Sequence, residues 1–598
     1  MAGSPSPGPE AGRASPVAGV GDKVPLGGKA SSGGKASSGD KVCSLDEAVA
    51  HVRPGDSLHI VTNHTRWTAA ARHLVRHWWG RDPHFTLVML SLSSLGALFF
   101  RGGLVDKVVT GYSGDVFPSF SPNPNFSDAY LAGEVEVEHW SFLTFLQRLE
   151  AAARGLPAVT TGSLAGSSMA NNPGYSQVDT PYGPVGLLAA YAPDITLLHA
   201  PVADRQGNLA FQPPGLEGMW GALAARRGVV ATVDRVVDDI RPWSHLVQVP
   251  AHRVLAVVET PLGAHPGGLF ARDVPVDPYG EDLDFWAEAR TASHGNEYDR
   301  WIEEWVLAPA NQEEYLARLG PKRIAELRRR AEPDSWKDDE AAHPPDLEAE
   351  PVSWEIAAVH GARYLADRVV ALDADALLAG AGVANLAAWL AVELARDRGS
   401  EVVLAAELGL LGYQPTPADP FIFNHRSFPT ATMLGDAEQV LAGLVGGPGT
   451  TLLACLGAAQ IDRHGNINST VIGDSVFLVG SGGGNDVAST ADEVVVMSTL
   501  TRRRAVAEVP YITSPGVRVR AFVTDLALFE RDDTGELALT AVAHGEGTIA
   551  ERAAAVRALC PWDLHVAEHV VELDPVDPAL IERLRRWDPE GRFLRPGG

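Results

Sequence analysis

Positive charge is scarce in this chain. Its 598 residues carry 49 Lys+Arg against 75 Asp+Glu, a formal net charge of −26. Such a balance argues against nonspecific nucleic-acid binding and against docking on anionic membranes, since both need clustered Lys and Arg. Cysteine is scarcer still. Cys43, Cys455 and Cys560 are far apart and form no CxxC pair, which supports neither a disulfide framework nor a zinc cluster and fits a reducing cytoplasm. Long apolar runs are missing too. The most apolar uncharged stretch, Phe85 to Phe100, has 16 residues, four of them hydroxyl-bearing, against the roughly 20 that a spanning helix needs. No basic segment leads into an apolar one at the start, so no signal peptide is expected.

What is present is the composition of a globular protein: 45% hydrophobic and 21% charged residues. The length points to two or more domains, each with its own core. Residues 1–40 are rich in Gly, Ser, Pro and Ala and hold the repeat GGKASS/GKASSG (Gly27 to Gly39). Too few apolar side chains are there to offset the ordering entropy, so a disordered low-complexity tail is expected. A second shift lies at 321–352, where charge blocks alternate with Pro333, Pro344, Pro345 and Pro351. It reads as a solvated linker with one short helix over Arg323 to Arg330. The chain thus divides into 41–320 and 353–598.

Both parts alternate Val/Ile/Leu-rich runs with helical patterns. Strands are expected at Ser57 to Val61, Phe85 to Leu90, Val105 to Thr110, Ile195 to His199 and Val229 to Val233 in the first. In the second they are expected at Val402 to Ala405, Thr451 to Leu456, Val476 to Val479, Val494 to Met497 and Val519 to Thr524. Helical periodicity covers Ala69 to Trp79, Phe142 to Arg154 and Val383 to Asp397. Near-continuous apolar strands separated by helices indicate α/β architecture, with mainly parallel sheets covered on both faces. The two parts also share a word, Asp204-Arg205-Gln206-Gly207-Asn208 and Asp462-Arg463-His464-Gly465-Asn466, each after an apolar run. A duplicated domain whose Gly-Asn forms a tight turn is the simplest account.

Two stretches carry candidate chemistry. In Val402-Val-Leu-Ala-Ala-Glu407-Leu-Gly409-Leu-Leu-Gly412, a strand delivers a carboxylate into a glycine-rich turn, the place where open α/β sheets hold ligands. Spacing alone also suits a solvated charge there. In Val479-Gly480-Ser481-Gly482-Gly483-Gly484-Asn485-Asp486, four glycines in five residues open the backbone to a ligand, and their N–H groups can receive an oxyanion. The loop is not a nucleotide P-loop, because no Gly-Lys-Ser/Thr follows. A plain turn before a helix is the alternative reading.

Together these stretches resemble the family I CoA-transferases, with an α-like half at 41–320 and a β-like half at 353–598; the glutaconate CoA-transferase branch looks nearest for the second half. The resemblance runs through Tyr130-LAGEVEVEHWSFLTFLQRLEAAARGLPAV, Asp194-ITLLHAPVADRQGNLAF and Val230-ATVDRVVD in the first half. In the second it runs through AELGLLG, ACLGAAQIDRHGNINST, VGSGGGNDVAS, Tyr511-ITSPG and Trp587-DPEGRFL. It implies two related open α/β domains with the active site in the cleft between them. It puts the catalytic glutamate at Glu407, inside Ala406-Glu407-Leu408-Gly409, and implies acyl-CoA and a carboxylic acid as substrates. Neither metal nor nucleotide cofactor is expected, nor is membrane association; a homodimer is left open. By this likeness Glu407 attacks the thioester and then carries CoA as a glutamyl thioester, a ping-pong route. Gly482, Gly483, Gly484, Asn485 and Gly409 are the expected oxyanion and CoA contacts.

Several positions depart from the family pattern. Ala406 and Leu408 replace the Ser and Asn that flank the glutamate. The first-half glycine loop reads Thr62-Asn63-His64-Thr65-Arg66, so Asn63 and His64 become candidate donors, or His64 a base. These departures keep a CoA-dependent hydrolase open, with Glu136 or Glu138 as its carboxylate. An inactive acyl-CoA-binding relative is the third reading. Arg502-Arg503-Arg504 and His425-Arg426 are the candidate anchors for CoA's negative charges.

Overall fold

The computed structural model describes residues 39–62 and 67–595. The expected tail lies outside them up to residue 38, as do Asn63 and His64. Seven strands build the first sheet: β1 (Ser57–Ile60), β2 (Phe85–Leu92), β3 (Val105–Ser113), β4 (Glu136–His139), β5 (Ile195–Asp204), β6 (Gly228–Val237) and β7 (Val254–Glu259). Their order is β7-β6-β5-β1-β2-β3-β4, and every one of these pairings is parallel. Two short strands extend the far end of β5 antiparallel, which completes a nine-stranded sheet. All ten residues of β5 are buried. Both of its faces are therefore covered, which is why its sequence lacks the polar alternation of a half-exposed strand.

The second sheet has ten strands. Its parallel centre runs β9-β8-β10-β11-β12, made of β8 (Ala376–Ala379), β9 (Val403–Ala406), β10 (Leu452–Gly457), β11 (Glu493–Met497) and β12 (Val519–Val523). Beyond β12 the sheet turns antiparallel through Ala527–Arg531 and Leu537–Val542. Helices Phe142–Ala153 and Val383–Arg396 begin where their periodicity predicts. A continuous cluster of buried apolar side chains spans both sheets, from Leu58 and Val88 to Leu453 and Val494.

The shared five-residue word forms the same turn twice. Asn208 N–H donates to Asp204 Oδ1 and its Nδ2 to Oδ2, at 2.8 and 2.6 Å. Asn466 makes the same pair of bonds to Asp462, at 3.0 and 3.1 Å. Gly207 and Gly465 both adopt positive φ, at 95° and 77°, which any side chain would strain. The aspartate binds the asparagine's main chain and side chain at once, so the turn closes on its own.

Two expectations are corrected. Val476 to Val479 is not a sheet strand: only Val476–Phe477 is extended, in a small hairpin with Val471–Ile472. Val479 instead accepts a hydrogen bond from Ser113 N–H, at the end of β3. Nor is 321–352 a freely solvated linker. It carries two helices, Pro321–Arg330 and Trp336–Ala342. Arg323 pairs with buried Asp282 of the first half, while Asp339 meets Arg426 and Arg330 meets Asp419 of the second. The first helix covers the expected Arg323 to Arg330, and three of the segment's charges are spent on these bridges. Lys322, Glu332, Asp334, Asp338, Glu348 and Glu350 stay exposed. Burial opposes the charge of Asp282, yet bonds from His265 and Arg323 hold its carboxyl well below the usual carboxylate range.

Asp462→Ala removes the acceptor of both Asn466 bonds, at about 1 kcal/mol each. We expect a thermal midpoint a few degrees below wild type by circular dichroism, while Asp533→Ala at an exposed site changes it by less than about 1 °C.

Candidate active site

A cavity of about 530 Å³ opens at the C-terminal ends of β8, β9, β10 and β11 and is closed on its other side by Tyr112, Phe120 and Phe142 of the first half. Its position follows from topology. From β8 the chain adds β9 on one side and then returns to place β10 on the other, and at such a reversal the loops part to leave a crevice. Both loops flanking the reversal, Gly380 to Ala384 and Gly457 to Ala459, line the cavity. The Gly380-x-Gly382 loop was missed in the sequence, although its signal is visible there: a short apolar run, two spaced glycines and an amphipathic helix.

Glu407 sits where the strand reading puts it, in the turn after β9 and on the cavity wall. The turn is tight because β9 folds back antiparallel onto Leu410–Leu411, pairing Ala406 with Leu410. Gly409 closes it with φ 114°. Its N–H donates to Ala406 O and its oxygen accepts from Gly435 N–H. Gly409 is thus a turn residue outside the cavity lining, and the expected ligand contact is corrected: its donor is already used.

The glycine loop faces Glu407 directly. A Cβ on Gly483 would collide with Glu407 Oε2, so only glycine lets the carboxylate lie against this backbone. The three expected N–H donors are not equivalent. Gly482 N–H donates to Gly111 O at 3.0 Å and Gly484 N–H to Ser481 O at 3.1 Å. Gly483 N–H is the one of the three without a protein acceptor among the described residues, and it lies beside Glu407. Asn485 is fully buried and satisfied, accepting from Leu164 N–H and donating to Thr513 O. It fastens the loop rather than reaching a ligand. Asp486, not singled out in the sequence, reaches into the first half to accept from Ser141 Oγ (2.6 Å) and Leu143 N–H (3.0 Å) at the start of helix Phe142–Ala153. Burial pushes its carboxyl up to about 6, against the lowering effect of these bonds.

Glu138 does not join the cavity. It is held in β4 by Arg148 and Lys107 and accepts a bond from Trp140 Nε1. Burial opposes its charge, but the two cations win and keep its carboxyl below the ordinary value. Among the candidate anchors, Arg426 is buried against Asp339, and Arg502 and Arg503 are exposed. Arg504 alone of them lines the cavity. The only group of three carboxylate, histidine or cysteine side chains close enough to share a metal, among the described residues, is Asp82, His84 and Asp106, exposed and outside the cavity lining. No helix of the described residues is long and apolar enough to cross a membrane.

Two open α/β halves thus enclose a cavity with Glu407 on its wall, and comparison with known proteins shows the family. Residues 42–260 and 370–550 match the family described as coenzyme A transferase. The 3-oxoadipate CoA-transferase of Pseudomonas knackmussii is made of two different polypeptides, and each matches a part of this chain. Identity to one of them is 27%, over 46% of this chain and 96% of that polypeptide. Identity to the other is 31%, over 33% of this chain and 81% of that polypeptide. The chain is also 32% identical to an uncharacterised protein of Archaeoglobus fulgidus over 39% of its own length, spanning about half (52%) of that relative. In fold it is similar to an acyl-CoA transferase of E. coli O157:H7 solved as a thioester complex with CoA, at TM-score 0.60, 16% identity and coverage of 92% and 97% of the two chains. The chain belongs to the coenzyme A transferase family, with counterparts of two separate subunits joined in one polypeptide.

The proton on Asp486 has a stability consequence. Its folded pKa lies above that of an unfolded aspartate, so the folded chain binds the extra proton between about pH 4 and 6 and gains stability as pH falls through that window. Relative to Asp486→Asn, which cannot titrate, wild type should gain up to roughly 3 kcal/mol between pH 6 and 4. Thermal midpoints of the two proteins at pH 4.5, 6 and 7.5 check this; a constant difference rules it out.

Proposed function

We propose that this chain moves CoA from an acyl-CoA to a carboxylic acid, with Glu407 as the covalent carrier. The observation that carries the reading is the contact between Glu407 and Gly483. A carboxylate lies in a largely apolar cavity against a backbone with one uncommitted N–H, the pairing that acyl transfer requires.

In this mechanism a Glu407 oxygen attacks the thioester carbonyl, the C–S bond breaks, and CoA thiolate leaves an acyl-glutamyl anhydride. The thiolate then attacks the glutamyl carbonyl, releasing the first acid and leaving a glutamyl-CoA thioester. The second acid attacks that thioester, and the returning thiolate takes its acyl group and restores Glu407. No net proton is consumed. Each step passes through a tetrahedral oxyanion, for which the uncommitted Gly483 N–H is the candidate donor. Gly482 and Gly484 shape the loop by their own bonds. Apolar walls formed by Phe120, Phe423 and Met497 limit water, which favours transfer over hydrolysis.

Three outcomes separate the readings. Incubation with an acyl-CoA followed by borohydride should leave a modified Glu407 peptide in the mass spectrum, and acyl exchange into a second acid should follow. Glu407→Gln should lower exchange at least about 1,000-fold without lowering the thermal midpoint. Free acid without exchange would point to a hydrolase, and thioester binding without either to an inactive relative. Gly483→Ala, which displaces the carboxylate, should cost about 100-fold or more in kcat.

A further inference from the structure

The cavity has two charged side chains in its lining among the described residues, Glu407 and Arg504. Glu407 has a role in the reading above. Arg504 has none, and its surroundings are unusual for an arginine in so acidic a chain. Nη1 donates to Ser498 Oγ at 2.9 Å and Ala458 O at 3.3 Å. These bonds fix the guanidinium in place but neutralise nothing. No carboxylate among the described residues is within ion-pair distance, and Nε and Nη2 have no protein acceptor there. The Trp354 ring, also in the lining, lies 4.8 Å from the guanidinium carbon. Burial weakens Arg504's hold on its proton, with distant Asp525 opposing, but an arginine stays charged throughout.

A partly desolvated cation with two donor nitrogens lacking a protein acceptor and no ion-pair partner among the described residues costs stability unless a ligand supplies the anion. The contrast with Arg426 shows the difference. That arginine is more deeply buried, and Asp339 meets it. The loop Gly380 to Ala384, on the same cavity, starts helix Val383–Arg396 with no side-chain cap at Gly382. Its positive end reinforces the same preference.

We infer that Arg504, braced by Ser498 and flanked by Trp354, is the subsite for an anionic oxygen group of the bound substrate. The inference rests on the CoA-transferase reading for the identity of that substrate. Two sources share the chemistry: a second carboxylate at the far end of the acyl group, or a phosphate of CoA. A guanidinium grips either through paired N–H donors.

Calorimetric titration of wild type, Arg504→Met and Arg504→Lys with glutaryl-CoA and butyryl-CoA separates the two sources. Losing the charge-assisted bonds should weaken binding roughly ten- to a hundredfold, and Arg504→Lys should recover part of it. A loss confined to glutaryl-CoA assigns the site to the acyl carboxylate, and an equal loss for both thioesters assigns it to a CoA phosphate. If Arg504→Met keeps both affinities within twofold, the subsite is overturned. Free glutarate and pyrophosphate keep the two proposals apart. Wild type that binds neither thioester, yet binds one of these anions through Arg504, sinks the CoA reading and retains the subsite. Binding of none of the four probes sinks both.

Discussion

The site depends on how one loop of the second half is held by the first. Ser481 and Gly482 N–H groups both donate to Gly111 O, Phe142 N–H donates to Gly482 O, and Asp486 binds the start of helix Phe142–Ala153. Asn485 adds a bond from Leu164. These contacts bring residues more than 300 positions apart into one hydrogen-bonded unit. They place Gly483 against Glu407 and close the cavity with Tyr112 and Phe142. Neither sheet could enclose the glutamate alone.

The strand ends do the remaining positioning. Parallel strands point their C-terminal loops the same way, so Gly380 to Ala384, Glu407 and Gly457 to Ala459 converge because β8, β9 and β10 are neighbours in register. Two of these loops are closed by local hydrogen bonds. The Glu407 turn closes on Gly409, and the chain after β10 closes on the Asp462–Asn466 bonds. The same bonds at Asp204–Asn208 in the first half make the two halves structurally alike at this point, although their sheets differ in strand order.

The net charge of −26 also has a structural resolution. Most arginines are tied to carboxylates, as Arg148 is to Glu138 and Arg323 to Asp282. In the 321–352 segment Arg323 reaches an aspartate of the first half, and Arg330 and Asp339 pair with residues of the second. Against that background an arginine left unpaired in a cavity stands out, and a local field at one cavity wall can favour an anion that the molecule as a whole repels.

Local order in the sequence determined much of this protein. Apolar runs marked nine of the twelve numbered strands and missed Glu136–His139, Val254–Glu259 and Ala376–Ala379. Spacing put Glu407 in a glycine-rich turn at a strand end but left a solvated charge open, and only the family resemblance singled it out. The Asp-Gly-Asn turns were legible because their bonds close within five residues. What the chain order could not decide was which polar groups remained available. Gly409, Gly482, Gly483 and Gly484 look alike in sequence, yet three have their N–H groups taken by main-chain oxygens, two of them locally and one by Gly111. Arg426 and Arg504 look alike as well, and only the fold supplies Asp339 to one and no partner acid to the other. Availability depends on neighbours distant in the chain, so the tertiary structure alone could settle it.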